Sequence, residues 1–294
     1  ASTSVVLTWT PPDQAPISRQ VEMTVGVAAP GVAGALGSFS LAAGETATLA
    51  SAGGTLRLTV QRDAPEWRFS YVVPSVANVV NAAGVPFVSD FSVANLETTE
   101  TVVGLELWTA AGRREASLLK LPPRGSKTIP DVVRSAFGLE QSFGALVVSS
   151  TGRVTSGART WAPAGAGTNG QFALGGDVRN PTSAAVLLDG EVGVLPGVRQ
   201  DTAFRTNVGV YNLGTTECLV EVEARDEGGM VVGSKLVLTV PPTRYVQEAL
   251  SSAVGTALPS GSLHVRNATP GCTVGGVAYV IDNATQDPFS VAQR

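Results

Sequence analysis

Positive charge is scarce in this 294-residue chain. It has three lysines, Lys120, Lys127 and Lys235, no basic run, and a net charge of −4. Holding phosphates takes clustered cations, so nucleic acid is not an expected partner. Charged residues of both signs reach only 15%, well under the usual ~25%. One histidine and two cysteines are too few nitrogen and sulfur ligands for a zinc site. No uninterrupted apolar run approaches the ~18 residues that a membrane-spanning helix needs. Neither a dinucleotide fingerprint nor a phosphate loop sits between a strand and a helix, and no cofactor is expected.

What the chain does have is 44% hydrophobic residues, 33 glycines and 18 prolines. The apolar content is enough for real cores. The Gly and Pro content favours short strands joined by turns.

One stretch of pattern occurs twice. Phe87-Val88-Ser89-Asp90-Phe91-Ser92-Val93-Ala94-Asn95-Leu96 aligns with Phe204-Arg205-Thr206-Asn207-Val208-Gly209-Val210-Tyr211-Asn212-Leu213, 117 positions on. Leu121-Pro122-Pro123 aligns with Val240-Pro241-Pro242 after a small slip, and Gly144–Val148 aligns with Gly261–Val265. An internal repeat of this kind implies one supersecondary unit used twice.

The repeat reads as β structure. Val93, Val208 and Val210 alternate with small or polar residues, the period-2 sign of a half-buried strand. Asn95 and Asn212 then stop the strand. Asp226-Glu227-Gly228-Gly229 and Ala110-Ala111-Gly112-Arg113 are hairpin turns, and the Pro-Pro pairs end the return strands. Asp131–Phe137 and Gln247–Val254 are expected to be short helices closed by Gly138 and Gly255. Ala162–Gly176 is expected to cross between copies, with Gln171–Leu174 an optional short strand. About seven strands in roughly 110 residues fit a sandwich.

Residues 1–66 differ from both copies. Val5–Thr10, Val21–Val25, Ser38–Leu41, Thr46–Leu49 and Thr55–Gln61 predict a small five-strand module, short for an independent core. The expected fold is therefore all-β. It has a β module at 1–66 and two Ig-like sandwich repeats, each with a short helix, at 67–180 and 181–294. The first residues, ASTSVVLTWT, contain no Met and no leader. Cleavage of a signal peptide after a small residue leaves such an end, and so does deliberate trimming. The first reading places the protein outside the cell, at the surface.

Val72-Val73-Pro74 with Phe87-Val88-Ser89-Asp90 and Asn95, and Val194-Leu195-Pro196 with Phe204-Arg205-Thr206-Asn207 and Asn212, resemble a family of uncharacterised secreted bacterial proteins. These carry paired β-sandwich repeats with the pattern Val-Pro … Phe-Arg-Thr-Asn … Asn. The resemblance covers roughly residues 68–294 and implies secretion and surface display. It brings no catalytic residues. The first copy departs from the pattern with Val88-Ser89 in place of Arg-Thr.

Candidate chemistry is sparse. His264 lies in a strand-like stretch with no nucleophile elbow nearby in sequence, and reads as a surface histidine. Cys218 and Cys272 both fall in the second copy and have no counterparts in the first. They are a candidate disulfide, or else two buried thiols. Asp282, Asn283 and Asp287 are the nearest candidate for calcium; an Asx turn accounts for the same residues. Trp67, Trp108 and Trp161 could stack sugars or fill cores. Asn267-Ala268-Thr269 and Asn283-Ala284-Thr285 match the glycosylation sequon.

These readings predict a non-enzymatic extracellular structural protein, a subunit of a bacterial cell-surface filament or pilus-like fibre joined through β-strand and sheet-edge contacts. The candidate assembly strand is Val5, Val6, Leu7, Thr8, Trp9 and Thr10, by strand addition. The expected partners are further copies of the chain or other surface components. The alternative is a monomeric secreted adhesin or carbohydrate-binding module.

Overall fold

The computed structural model describes residues 3–10, 17–22, 46–51, 54–62, 65–178, 186–188, 190–255 and 257–292. Contacts divide the chain into two compact units, residues 1–66 and 67–294.

In the first unit, β1 (Thr3–Thr10), β2 (Ile17–Glu22), β3 (Thr46–Ser51) and β4 (Gly54–Arg62) form an antiparallel sheet in the order β2-β1-β4-β3. The candidate assembly strand is the inner strand β1. Val5 stands opposite Val21 on one side and Val60 on the other, and Trp9 opposite Ile17 and Leu56. Both edges of β1 are thus occupied within the unit, and any role in joining subunits requires these pairings to open. The expected strand at Ser38–Leu41 lies outside the described residues.

The second unit has two halves. The first holds β5 (Phe69–Val80), β6 (Pro86–Asn95), β7 (Thr101–Trp108), β8 (Arg113–Glu115), β9 (Leu119–Leu121), β10 (Ser126–Ile129), α1 (Val132–Phe137), β11 (Ser142–Ser150), β12 (Val154–Ala164), β13 (Gly167–Leu174) and β14 (Gly176–Asp177). The second holds β15 (Val192–Gln200), β16 (Phe204–Asn212), β17 (Cys218–Asp226), β18 (Val231–Val240), β19 (Tyr245–Ala249), α2 (Ser251–Val254), β20 (Leu258–Asn267), β21 (Val274–Asp282) and β22 (Pro288–Ala292).

The two halves pair their strands in the same way. In the second, one layer runs β15-β20-β17-β18 and the other β19-β16-β21-β22. In the first, β5-β11-β7 continues to β8 and β9, and β10-β6-β12-β13 forms the other layer. The difference is β5, whose last residues Asn78–Val80 also pair with β6 and join the two layers. Each half is a sandwich-like pair of antiparallel sheets, and the protein is all-β.

Alternation explains the strands. In β17, Cys218, Val220, Val222 and Ala224 are buried while Leu219 is exposed and Glu221 and Glu223 are half-exposed. The inward set joins Leu263, Val265, Val208 and Val210 in the core of the second half. Fully burying each such side chain stabilises by about 1.5–3 kcal/mol. Phe91, Leu105, Leu146 and Val148 are among the matching core of the first half.

β5 breaks the alternation. Val73 and Val76, three positions apart, both face the core of the first half, because the register slips between the pairs Leu146–Val73 and Gly144–Val76. This bulge sits at Pro74, which has no N–H to give a ladder. Pro196, its counterpart in β15, also sits at a register slip. Beyond the bulge, Ser75, Ala77 and Val79 face away from the core of their own half, toward the second half.

Two expectations are corrected. Gln247–Ala249 are strand, not helix, because they pair with Asn207–Gly209 along the edge of β16; only Ser251–Val254 is helical. Ala162–Gly176 is not a crossover. β12 and β13 form a hairpin through Gly165 at φ 56, a left-handed position that suits glycine. In the first half the helix lies as expected, with the Asp131 carboxylate accepting from Arg134 N–H and Gly138 left-handed after it.

A cleft between the two halves

The outer face of the β5/β11/β7 layer packs on the outer face of β16, β19 and β21. Val72, Ala145, Val147 and Trp108 meet Tyr211, Tyr245, Val277 and Tyr279 in a third core. Gly209 makes room for it, since a Cβ there would stand 2.6 Å from Tyr245 Cζ. Beside this core the two faces diverge into a cleft of about 590 Å³.

One wall comes from the first half. Gln171, Thr160 and Ser89 form a row across β13, β12 and β6. Thr160 and Ser89 bond through their hydroxyls at 2.6 Å, and Ser89 Oγ accepts from Ala77 N–H. Gln171 Oε1 is buried and, among the described residues, has no hydrogen-bond partner.

The other wall comes from β16 and β21, where Asn207 stands opposite Tyr279 and Arg205 opposite Ile281. Tyr279 is 6% exposed, and its hydroxyl is buried against the hydroxyls of Ser75 and Tyr245. Tyr245 in turn donates to Gln247 Oε1 at 2.8 Å. Burial pushes the Tyr279 hydroxyl well above the usual phenol range. Buried polar atoms without partners are rare and each calls for an explanation. Gln171 Oε1 is such an atom on the lining of this cleft.

Arg205 is half-buried at the mouth. Nη1 donates to Asn283 Oδ1 at 2.8 Å and Nη2 to Gln286 Oε1 at 2.8 Å. Gln286 Oε1 also accepts from Asn81 Nδ2 at 3.0 Å, across the two halves. All these acceptors are neutral, and burial lowers the Arg205 pKa. Among the described residues the cleft holds no carboxylate, histidine or cysteine.

The residues singled out in the sequence go elsewhere. Cys218 and Cys272 form a disulfide with Cα atoms 5.9 Å apart. His264 stands between Val194 and Glu223 on neighbouring strands. Asp282 Oδ1 accepts from the N–H groups of Ala284 and Thr285 in an Asx turn, and Asn283 Oδ1 is taken by Arg205. Asp287 closes the same turn, its carbonyl accepting from Asp282 N–H. Trp108 is buried in the third core, Trp161 donates to Asp90 Oδ2 at 2.9 Å, and Trp67 packs over Gly104. Asn267 of the first sequon is fully buried. The cleft residues themselves, Arg205, Tyr279 and Gln171, carried no sequence signal except that Arg205 lies in the Phe-Arg-Thr-Asn pattern.

Comparison with protein-family models, curated proteins and solved structures finds no match to this chain.

Proposed function

We propose that this is an extracellular binding protein, an adhesin-like or carbohydrate-binding surface module, with its ligand site in the cleft between the two sandwich halves. The observation that carries the reading is one cleft of about 590 Å³ that gathers the half-buried Arg205 guanidinium, held by neutral acceptors, and the buried Gln171 Oε1, which has no hydrogen-bond partner among the described residues. Pockets of this size, apolar in the main with a few convergent polar groups, are typical ligand sites. Amides, hydroxyls and one guanidinium suit recognition rather than bond breaking. The disulfide is compatible with an oxidising compartment, and the resemblance to secreted bacterial repeat proteins supports surface display.

The test is a screen of the purified protein on glycan and peptide arrays, with Phe143→Ala beside it to alter the exposed cleft wall. Binding that weakens with the substitution supports the reading. Binding that ignores it places the ligand elsewhere and sinks it.

A second reading, a subunit of a cell-surface filament, has one feature in its favour. The edge strand β18 and the turn before it expose Met230, Val231 and Val237, at 70%, 49% and 52%. Exposed apolar edges invite pairing with another chain. Electron microscopy of concentrated protein decides it: fibres that vanish with Val237→Lys support the filament, and a monodisperse monomer ends it.

A further inference from the structure

We propose that the cleft takes an acidic saccharide, with the sugar carboxylate on Arg205 and hydroxyls on Tyr279 and Gln171. This rests on the cleft being the ligand site.

The argument begins with Arg205. A guanidinium has five N–H donors. Two are engaged, both by neutral amide oxygens, and the others have no partner among the described residues. Among the described residues no carboxylate lies within ion-pair distance of it either. Half-burying a cation without a counter-charge is unfavourable, whereas arginine paired with a carboxylate gains charge-assisted bonds. The Asx turn, through Asn283 and Gln286, fixes the guanidinium in place before any ligand arrives, which lowers the cost of binding. One cation in the cleft matches one negative charge on the ligand.

The rest of the lining matches the rest of a sugar. Tyr279 Oη can donate or accept, and Gln171 Oε1 can only accept. A ligand satisfying both presents an acceptor or hydroxyl to the first and an O–H or N–H to the second. Sugar hydroxyls do both. Asn207, Gln247 and Gln141 add amides on the lining; the oxygens of Gln247 and Gln141 accept from Tyr245 and Val80, which leaves their NH₂ groups to donate. Phe87 and Phe143 supply the apolar patches that pack on the C–H faces of a pyranose ring. The volume suits about one or two sugar rings.

The experiment uses the full chain and an array of uronic-acid oligosaccharides printed beside neutral ones of the same linkage, followed by calorimetry on the best pair. The acidic sugar is expected to bind about ten-fold or more tightly than its neutral match, the order of one charge-assisted bond. Arg205→Gln should erase that preference. Because Arg205 also braces the turn, Tyr279→Phe is the safer variant. It removes one hydroxyl and leaves the ring in place, so affinity should fall about ten-fold while the unfolding midpoint, measured beside it, shows that the fold is kept.

Three results overturn the proposal. Acidic and neutral sugars binding alike, both weakened by Tyr279→Phe, would keep the cleft and discard the carboxylate. An acidic peptide such as N-acetyl-glutamyl-glycine outcompeting every uronic sugar would discard the saccharide. No sugar binding, or binding indifferent to Tyr279→Phe, would remove the cleft reading as well.

Discussion

Asn95 and Asn212 do the same work in the two halves, tying the end of one strand to the Pro-Pro end of another. The Asn95 amide donates to the carbonyls of Thr99 and Pro122, and its Oδ1 accepts from Glu97 N–H and the Thr101 hydroxyl. The Asn212 amide donates to Thr216 and Val240, and its Oδ1 accepts from Gly214 N–H. Both side chains are buried, at 2% and 0% exposure. Only an amide offers two donors and an acceptor in this shape. Replacing Asn212 with Ala takes a donor from the buried Val240 carbonyl, at about 1–3 kcal/mol, and from the part-buried Thr216 carbonyl. Asn212→Ala should therefore lower stability by roughly 2–4 kcal/mol, read from denaturant unfolding. Asn212→Asp should cost nearly as much, since it loses the donors.

The disulfide ties β17 to the loop before β21, which lie in different layers of the second half. It closes a loop with a sequence separation of 54, and the chain-entropy model gives about 4 kcal/mol for that length. Cys218→Ala with Cys272→Ala should unfold at lower denaturant by about that amount, and reductant should shift the parent protein the same way. No change in midpoint would mean that the fully buried core around Cys218 carries the stability alone.

Gly209 and the Tyr245 ring share one space. Gly209→Ala pushes a methyl against Tyr245 Cζ and Cε2, at 2.6 and 2.9 Å before relaxation. Overpacking of this kind costs about 1–3 kcal/mol. Tyr245→Leu added to Gly209→Ala should recover part of it, and a double-mutant cycle measures the coupling. Independent, additive effects would contradict the close approach.

The Asx turn at the cleft mouth carries a pH dependence. The N–H groups of Thr285 and Ala284 hold the Asp282 carboxyl below the usual carboxylate range. A carboxylate depressed in the folded state stabilises fully above its unfolded pKa of about 3.9, and the contribution is lost as pH falls through the folded value. Unfolding midpoints of the parent and Asp282→Ala should differ by a constant amount above about pH 5 and converge below about pH 4. A gap that widens in acid would refute the assignment.

Much of the fold was legible in the residues. The alternation in Leu219–Glu223, the stops at Asn95 and Asn212, and the turn at Asp226–Gly229 are local, and local patterns report which side chains share a face. The cysteine pair was legible too, by joint presence in one copy. The helix expected at Gln247–Val254 is kept only at Ser251–Val254, because pairing to β16 draws Gln247–Ala249 into a strand. The hairpin at Ala162–Leu174 was missed because glycine marks a tight turn and a long connection alike.

The sequence by itself determined an all-β chain, two matching strand patterns and a candidate cysteine pair, which the structure shows bonded. Only the tertiary structure decided that the halves pack through their outward faces, burying Trp108, Tyr211, Tyr245 and Tyr279 between them. The reason is physical. Period-2 alternation separates inside from outside within one sheet, but the outward set looks the same whether water or another sheet covers it. Arg205, Gln171 and Tyr279 occupy such outward positions on strands far apart in the chain, and become a cleft only when the two faces meet.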